Sequence, residues 1–255
     1  MKCFTYDGYR SNGYKTRYSL FIELNENESV ISDGRIAKNG IDYIERNVFI
    51  YNKNEQGESV AFSKCDLEFI SGWLFTKGYK FLNIEDRNYL GIFIKKHGIW
   101  YRDAKDGFIE LIFRLKPFKY SNILVETLGV NNNTYSRKIH LKSDVDIELY
   151  PTIIIENMSR EFLNISIENK TIKGNKLTFN GLIPVDRALI DCDEKYMKSY
   201  IDVSEDLYSK SNLIYLRLCN GENIVEVKGS KRAKVNIEYR DRYMLKEGDF
   251  FWVKE

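Results

Sequence analysis

Histidine and cysteine are the residues most often used for nucleophilic and general-base catalysis, and the sequence contains two histidines and four cysteines. His97 falls in a predicted turn between two strands, whereas His140 falls in a strand-like run from Tyr135 to Leu141. Cys65 occupies the first turn of a predicted helix, a position that favours the thiolate. Neither histidine is close to Cys65 in the sequence, and an apolar helix start explains this cysteine equally well. We therefore predict no catalytic dyad.

Two acidic clusters are the remaining candidates for catalysis or metal binding. The first consists of Asp144, Asp146 and Glu148, and the second of Asp191, Asp193 and Glu194. Either could bind a divalent cation or supply the paired carboxylates of glycoside hydrolysis. The alternative for the first cluster is the solvent-exposed face of a strand, because apolar residues alternate with its acids. The alternative for the second is a strand end that runs into a turn, and these structural interpretations are preferred.

Known site motifs do not occur in the chain. The four cysteines are Cys3, Cys65, Cys192 and Cys219, and no two of them have the spacing of a zinc or redox site. The sequence also lacks a glycine-rich phosphate loop, a zinc-protease helix motif and a nucleophile elbow. We therefore predict no catalytic, cofactor-binding or metal-binding residues, no cofactor, and a protein that is not an enzyme.

The charge balance and hydropathy restrict the partners. Lys and Arg number 39 and Asp and Glu number 37, spread evenly along the chain, which argues against a nucleic-acid groove or a polybasic membrane anchor. No stretch approaches the 18 or so apolar residues of a membrane helix, and the N-terminus has no apolar signal region. We expect a soluble protein made in a cytoplasm, without membrane insertion or nucleic-acid sequence recognition.

The composition indicates which elements must position any site. Ile, Val, Thr, Tyr, Phe and Trp account for 84 of the 255 residues, whereas Ala and Pro are rare, so the chain is predicted to be mainly β. In the first half, the period-two series Ile109, Leu111, Phe113 and Leu115 predicts one face of a strand. The helix signal of this half is Ser63 to Phe75, with Ser63 as N-cap, Asp66 as its capping-box partner and Gly78 as terminator.

A change of pattern divides the chain. The segment between about Ser121 and Thr134 becomes polar and turn-rich, so we place the join near residue 125 and predict domains 1–125 and 126–255. The second half has almost no helical periodicity, and short strands such as Ile153–Ile155 and Leu213–Leu218 alternate with turn residues. Such spacing is typical of a β-sandwich or jelly roll.

Four fragments, in this order, resemble a known family. They are Ile70-Ser71-Gly72-Trp73-Leu74, the segment Lys80 to Gly91 with its Tyr89-Leu90-Gly91 strand, the segment Phe113 to Ser121 with Pro117, and the segment Leu216 to Tyr243 with Leu218-Cys219-Asn220-Gly221 and Tyr239-Arg240-Asp241-Arg242-Tyr243. Their order and spacing resemble the distal tail protein family of long-tailed, siphovirus-like bacteriophages, over most of residues 60–245.

The resemblance implies a fold and an assembly. It implies two β-sandwich domains, an N-terminal one with a single α-helix and a hairpin arm, and a galectin-like C-terminal one. The N-terminal domains would form a homohexameric ring at the distal end of the virion tail, after synthesis in the host bacterial cytoplasm. The implied partners are the major tail tube protein, the tail-tip hub or tail-associated lysin protein and the tape-measure protein. The ring-closing arm would lie between about Glu28 and Glu45, with Trp73 and Leu74 in the core.

Two other functions stay open at this stage. The C-terminal domain could bind a receptor-binding protein or a host-surface saccharide, and Tyr196, Tyr200 and Tyr208 are its candidate exposed aromatic residues. A glycan hydrolase that uses Asp191 and Asp193 is the enzymatic alternative. We prefer the structural component of a tail tip, because the four fragments occur in the order seen in the family and the lack of a catalytic residue set agrees with it.

Overall fold

The computed structural model describes residues 4–6, 9–10, 18–22, 43–54, 56, 58–84, 87–95, 104–144, 146–202 and 204–245. The described residues divide into two compact units, one formed by residues up to 120 together with 243–245, and the other by residues 121–242. The division therefore lies at Tyr120–Ser121, and the last described residues return to the first unit. Among the described residues, no helix is both long and apolar enough to cross a membrane.

The described residues form seventeen strands, two α-helices and a short 3-10 helix at Ala104–Asp106. The helices are α1 (Lys64–Leu74) and α2 (Leu207–Lys210). The strands are β1 (Phe4–Tyr6), β2 (Tyr9–Arg10), β3 (Tyr18–Ile22), β4 (Ile44–Asn52), β5 (Lys80–Ile84), β6 (Arg87–Lys95), β7 (Phe108–Tyr120), β8 (Leu124–Asn131), β9 (Thr134–Leu141), β10 (Thr152–Asn157), β11 (Leu163–Asn169), β12 (Lys176–Leu182), β13 (Arg187–Asp191), β14 (Tyr196–Ser199), β15 (Gly221–Gly229), β16 (Arg232–Tyr239) and β17 (Arg242–Met244). The prediction of a mainly β chain is confirmed.

The first unit contains one eight-stranded sheet. Its order is β2-β1-β5-β6-β7-β4-β3, and β17 pairs with β7 outside this path. The side chains of Ile109, Leu111, Phe113 and Leu115 are all buried on one face of β7, which confirms the predicted period-two series. In the described part of this unit all strands belong to this single sheet, and two facing sheets occur only in the second unit.

Helix α1 covers the buried face of this sheet. Ser63 caps it as predicted: the Asp66 amide donates to Ser63 Oγ at 3.2 Å, and the Ser63 amide donates to Asp66 Oδ2 at 2.8 Å. The indole Nε1 of Trp73 donates to the carbonyl of Tyr6 in β1 at 3.0 Å, and the ring of Trp73 stacks on Phe4 at 5.1 Å. The helix ends at Leu74, before the predicted terminator Gly78, so Gly78 belongs to the turn beyond it.

The second unit is a sandwich of two antiparallel sheets. One sheet has the order β14-β13-β10-β16-β8, and the other has the order β12-β11-β15-β9. The inward side chains of both sheets join one core, for example Ile153 and Val235 from the first sheet and Ile167 and Val225 from the second. Alternation along each strand places the intervening polar residues outside.

Three details of the second half correct the sequence interpretation. The polar stretch 129–134 is the end of β8 and its turn into β9, so it joins two strands of one unit. Residues 213–217 are irregular, and Leu218 forms only an isolated bridge with Leu149. The acidic segment that contains Asp144, Asp146 and Glu148 is also irregular in its described residues, so its acids are not one face of a strand.

Candidate functional site

The candidate nucleophile and bases do not form a site in the described structure. His97 lies outside the described residues. His140 is exposed on β9, opposite Glu222 of β15, and Cys65 is an exposed free thiol in the first turn of α1. His140 and Cys65 belong to different units.

The first acidic cluster is dispersed. Glu148 forms an ion pair with Arg217, whose Nη1 lies 3.0 Å from Oε1 and 2.8 Å from Oε2. Asp144 and Asp146 are exposed in the irregular segment before it. Within the described ranges, no group of three or more His, Cys, Asp and Glu residues could hold a metal ion. The carboxylate of Glu148 is thus engaged by Arg217 within the fold.

The second acidic cluster forms a turn. The carboxylate oxygen Oδ1 of Asp191 accepts hydrogen bonds from the backbone amides of Asp193 at 3.1 Å and Glu194 at 3.0 Å. Cys192 between them is buried, and burial raises the pKa of its thiol from 9.0 to about 12. Asp191 therefore caps the end of β13, and the thiol beside it stays protonated and unreactive at neutral pH.

The three candidate tyrosines do not build one stacking platform. The ring of Tyr200 has the guanidinium of Arg187 at 5.0 Å and the ammonium of Lys198 at 4.9 Å from its centroid. The hydroxyl of Tyr208 accepts a hydrogen bond from the amide of Met197 at 3.0 Å. Tyr196 is exposed on β14, at the edge of the sheet. Tyr200 and Tyr208 are thus already engaged with neighbours in their own unit.

A shallow, open groove that the sequence did not indicate lies on the four-stranded sheet of the second unit, and we call it the polar groove after the side chains at its rim, although more of its accessible lining is apolar than polar. Its volume is about 500 Å³, and its lining includes Asn132, Asn164, Ser166, Thr178 and Lys228. These side chains lie close to the β8–β9 turn and on the outward positions of β11, β12 and β15. Amide, hydroxyl and ammonium groups suit a hydroxyl-rich or anionic ligand. The only sequence signal for this groove is the alternation of inward and outward residues along its strands.

In the first unit, a charged clamp holds the chain where the predicted arm ends. Arg114 of β7 donates from Nε to Oε1 of Glu45 at 2.8 Å, and its Nη2 is 2.6 Å from the same oxygen. The guanidinium also lies 4.5 Å from the ring centroid of Tyr43, and Glu45 raises the pKa of Arg114. Residues 28–42 of the predicted arm lie outside the described residues. The clamp therefore ties the start of β4 to β7.

The outward face of the same sheet carries aromatic side chains. Phe49 and Tyr51 of β4 and Phe108 of β7 lie with ring centroids 5.8 to 6.5 Å apart, and all three are half-buried. A sheet face that is fully solvated would carry polar side chains here. This aromatic cluster is therefore a candidate contact surface.

The comparisons with known proteins bear on the whole fold. No family model matches the chain, and the search of curated proteins finds no match. A chain in the structure of the phage P2 baseplate in its activated conformation with Ca matches at a TM-score of 0.51 and 11% identity, over 93% of this chain and 98% of that chain. The chain has the fold of a phage baseplate protein.

Two further solved structures align with this chain over similar lengths. The SPP1 Dit protein, described as a paradigm of the hub adsorption apparatus in phages that infect Gram-positive bacteria, has 13% identity and a TM-score of 0.48, with 94% of this chain and 99% of that chain covered. The phage P2 baseplate with Sr has 11% identity and a TM-score of 0.49, with coverage of 94% and 98%.

Proposed function

We propose that this protein is a distal tail protein, a structural component of a phage tail tip. The observation that carries the proposal is the baseplate fold, which extends over both units and 93% of the chain. The candidate residues for chemistry support it, because Glu148, Asp191 and Cys192 all have structural roles. The protein acts by holding other tail proteins in place at the distal end of the virion tail.

The assembly we propose is a homohexameric ring built from the first unit, with the second unit appended to it. A ring needs two complementary surfaces on each subunit, related by a rotation that closes. The aromatic cluster of Phe49, Tyr51 and Phe108 is one such surface, and the arm that the family resemblance implies between about Glu28 and Glu45 supplies a second. The ring would join the tail tube to the tail-tip hub around the end of the tape-measure protein.

Light scattering on the purified full chain tests this assembly. A hexamer has a mass of about 180 kDa, six times the chain mass of 30.1 kDa. We expect Arg114→Ala to lower the hexamer fraction, since it frees Glu45 and Tyr43 at the base of the arm. Arg137→Ala is the matched control, because it removes a comparable exposed pair with Glu126 in the second unit. A wild-type chain that stays monomeric at high micromolar concentration contradicts the proposal.

A saccharide-binding role of the second unit is the second candidate function, and the polar groove supports it. Hydroxyl groups of a sugar would pair with Ser166, Thr178 and Lys228, whereas the carbonyl oxygen of the Asn164 side chain already accepts from the Gly181 amide. The test is retention of the full chain on isolated bacterial cell walls, compared with the double variant Ser166→Ala with Lys228→Ala. Retention that the double variant abolishes supports this role. No retention, or equal retention of both proteins, removes it.

A further inference from the structure

Three loops of the second unit that hydrogen-bond to one another each expose large apolar side chains. Phe162 lies in the β10–β11 loop, Val185 in the β12–β13 loop and Ile201 after β14, with 61%, 61% and 64% of their surfaces exposed. Met158 of the first loop is also exposed. Apolar side chains of this size are seldom grouped on a surface that faces only water. We call these four residues the loop patch.

Two buried polar side chains hold the three loops in place. The amide Nδ2 of Asn157 donates to the carbonyls of Glu161 at 2.9 Å and Ile183 at 2.8 Å, which ties the first loop to the second. The carboxylate of Asp186 accepts from the Ser199 hydroxyl at 2.7 Å and from the Ile201 amide at 3.1 Å, which ties the second loop to the third. Because the loops are fixed in advance, binding through the patch costs little ordering entropy.

The backbone at Val185 gives an independent indication. Val185 has φ of +58°, in a turn that follows Pro184. Glycine and asparagine are the usual residues at such positions, and a β-branched residue there is strained. Its side chain is mostly exposed, so packing within the fold does not repay that strain. Strain of this kind is typical of functional surfaces, and it points to a contact outside the chain.

The charges around the loop patch indicate its occupant. Arg160, Lys198 and Arg232 are exposed and make no ion pair with another described residue, whereas Lys231 pairs with Glu161 at 2.6 Å. The carboxylate of Asp202, which follows Ile201, is also exposed and has no ion pair with a described residue, so the unpaired charges of these segments are three cations and one anion. We propose that the loop patch docks a partner protein through a segment whose apolar side chains are flanked by carboxylates.

Two other occupants fit less well. A second copy of the chain, bound patch to patch, would bring the same cations together. An anionic membrane surface is usually bound by clusters of four to eight basic residues, and three unpaired cations on a chain of net charge +2 fall short of that. The proposal goes beyond the ring, since the loop patch belongs to the second unit and the ring surfaces to the first.

The test uses a display library of random twelve-residue peptides selected on the immobilised full chain. We expect the enriched peptides to carry aromatic or aliphatic pairs next to Asp or Glu. Binding of a selected peptide should fall at least tenfold with Ile201→Glu and severalfold with Arg160→Glu. Ile224→Glu is the matched control, because it changes an exposed apolar residue at the other end of the sandwich and should leave the affinity unchanged. Circular dichroism of each variant confirms that it is folded.

Three results would overturn the proposal. The first is that no peptides are enriched, or that the enriched peptides lack flanking acids. The second is that folded Ile201→Glu binds the selected peptides as tightly as the wild type. The third is that the wild-type chain binds phosphatidylglycerol vesicles and loses this binding in Ile201→Glu, which would assign the loop patch to a lipid surface.

Discussion

Asn169 and Asn223 lie fully buried and share a hydrogen bond: Nδ2 of Asn169 donates to Oδ1 of Asn223 at 2.8 Å. Asn169 also donates to the carbonyl of Arg217, and Asn223 donates to the carbonyls of Cys219 and Gly221. The chain between α2 and β15 is irregular, and these side-chain amides supply hydrogen bonds that a neighbouring strand would otherwise supply to its backbone. They hold its backbone against the core of the second unit.

Removal of the Asn223 side chain should therefore destabilise the second unit. Asn223→Ala leaves buried carbonyls and amides without partners, and each such group costs about 1–3 kcal/mol. We expect the free energy of unfolding in urea to fall by about 2 kcal/mol or more. Asn236→Ala, which removes an exposed hydrogen bond to Thr127, is the control and should change it by less than about 0.5 kcal/mol. Equal effects of the two substitutions would contradict this role.

Close packing of β6 against β7 requires a glycine at position 91 of the Tyr89-Leu90-Gly91 strand. A Cβ at this position would lie 2.4 Å from Cζ of Phe113 and 2.7 Å from the carbonyl oxygen of Arg114. Gly91→Ala should lower the stability of the first unit by about 1–3 kcal/mol, because the core must shift. Gly72→Ala in α1 meets no atom within 4 Å and should raise it by about 0.5–1 kcal/mol. Opposite signs in thermal unfolding are the expected result, and equal signs would refute the packing explanation.

The buried thiol of Cys192 predicts a dependence of stability on pH. Its pKa is raised from 9.0 to about 12 in the folded chain, so above about pH 9 the unfolded chain loses a proton that the folded chain keeps. The contribution of this group is complete below pH 9 and is lost progressively as the pH rises toward 12. Urea unfolding at pH 7 and pH 10 should show a smaller decrease in Cys192→Ala than in the wild type. Cys65→Ala, at an exposed thiol, should leave the decrease unchanged.

The positive φ of Val185 predicts that a substitution at this position stabilises the chain. Val185→Asn keeps the turn and removes the strain of a β-branched residue at positive φ, worth about 1 kcal/mol. Val185→Ala is the matched control, because alanine retains a Cβ and should recover less of that energy. Denaturant titration of both variants measures the difference. A Val185→Asn variant that is less stable than the wild type would show that the turn is not strained.

The sequence predicted the elements that local physics decides. The capping box of Ser63 and Asp66 and the buried series on β7 follow from spacing alone. The apolar run from Leu213 to Leu218 does not form the predicted strand. The side-chain amides of Asn169 and Asn175, which are distant in the sequence, bind its backbone instead. The return of residues 243–245 to the first unit is likewise a long-range pairing that three residues cannot signal.

The candidate surfaces were less accessible to sequence reasoning. Val185 and Ile201 look like core residues in a sequence, and only the fold shows that both are exposed on neighbouring loops. The polar groove combines outward side chains of separate strands, whose register is set by tertiary pairing. In contrast, the acidic clusters drew attention because of their composition, yet Asp191 and Glu148 serve the fold.

Electron microscopy of the purified full chain tests the ring most directly. We predict closed particles with sixfold rotational symmetry. Arg114→Ala should reduce the number of closed rings, whereas its matched control Arg137→Ala should leave that number unchanged. Single, unassembled particles of the wild-type chain at high micromolar concentration, or closed rings of another symmetry, would contradict the proposed hexamer.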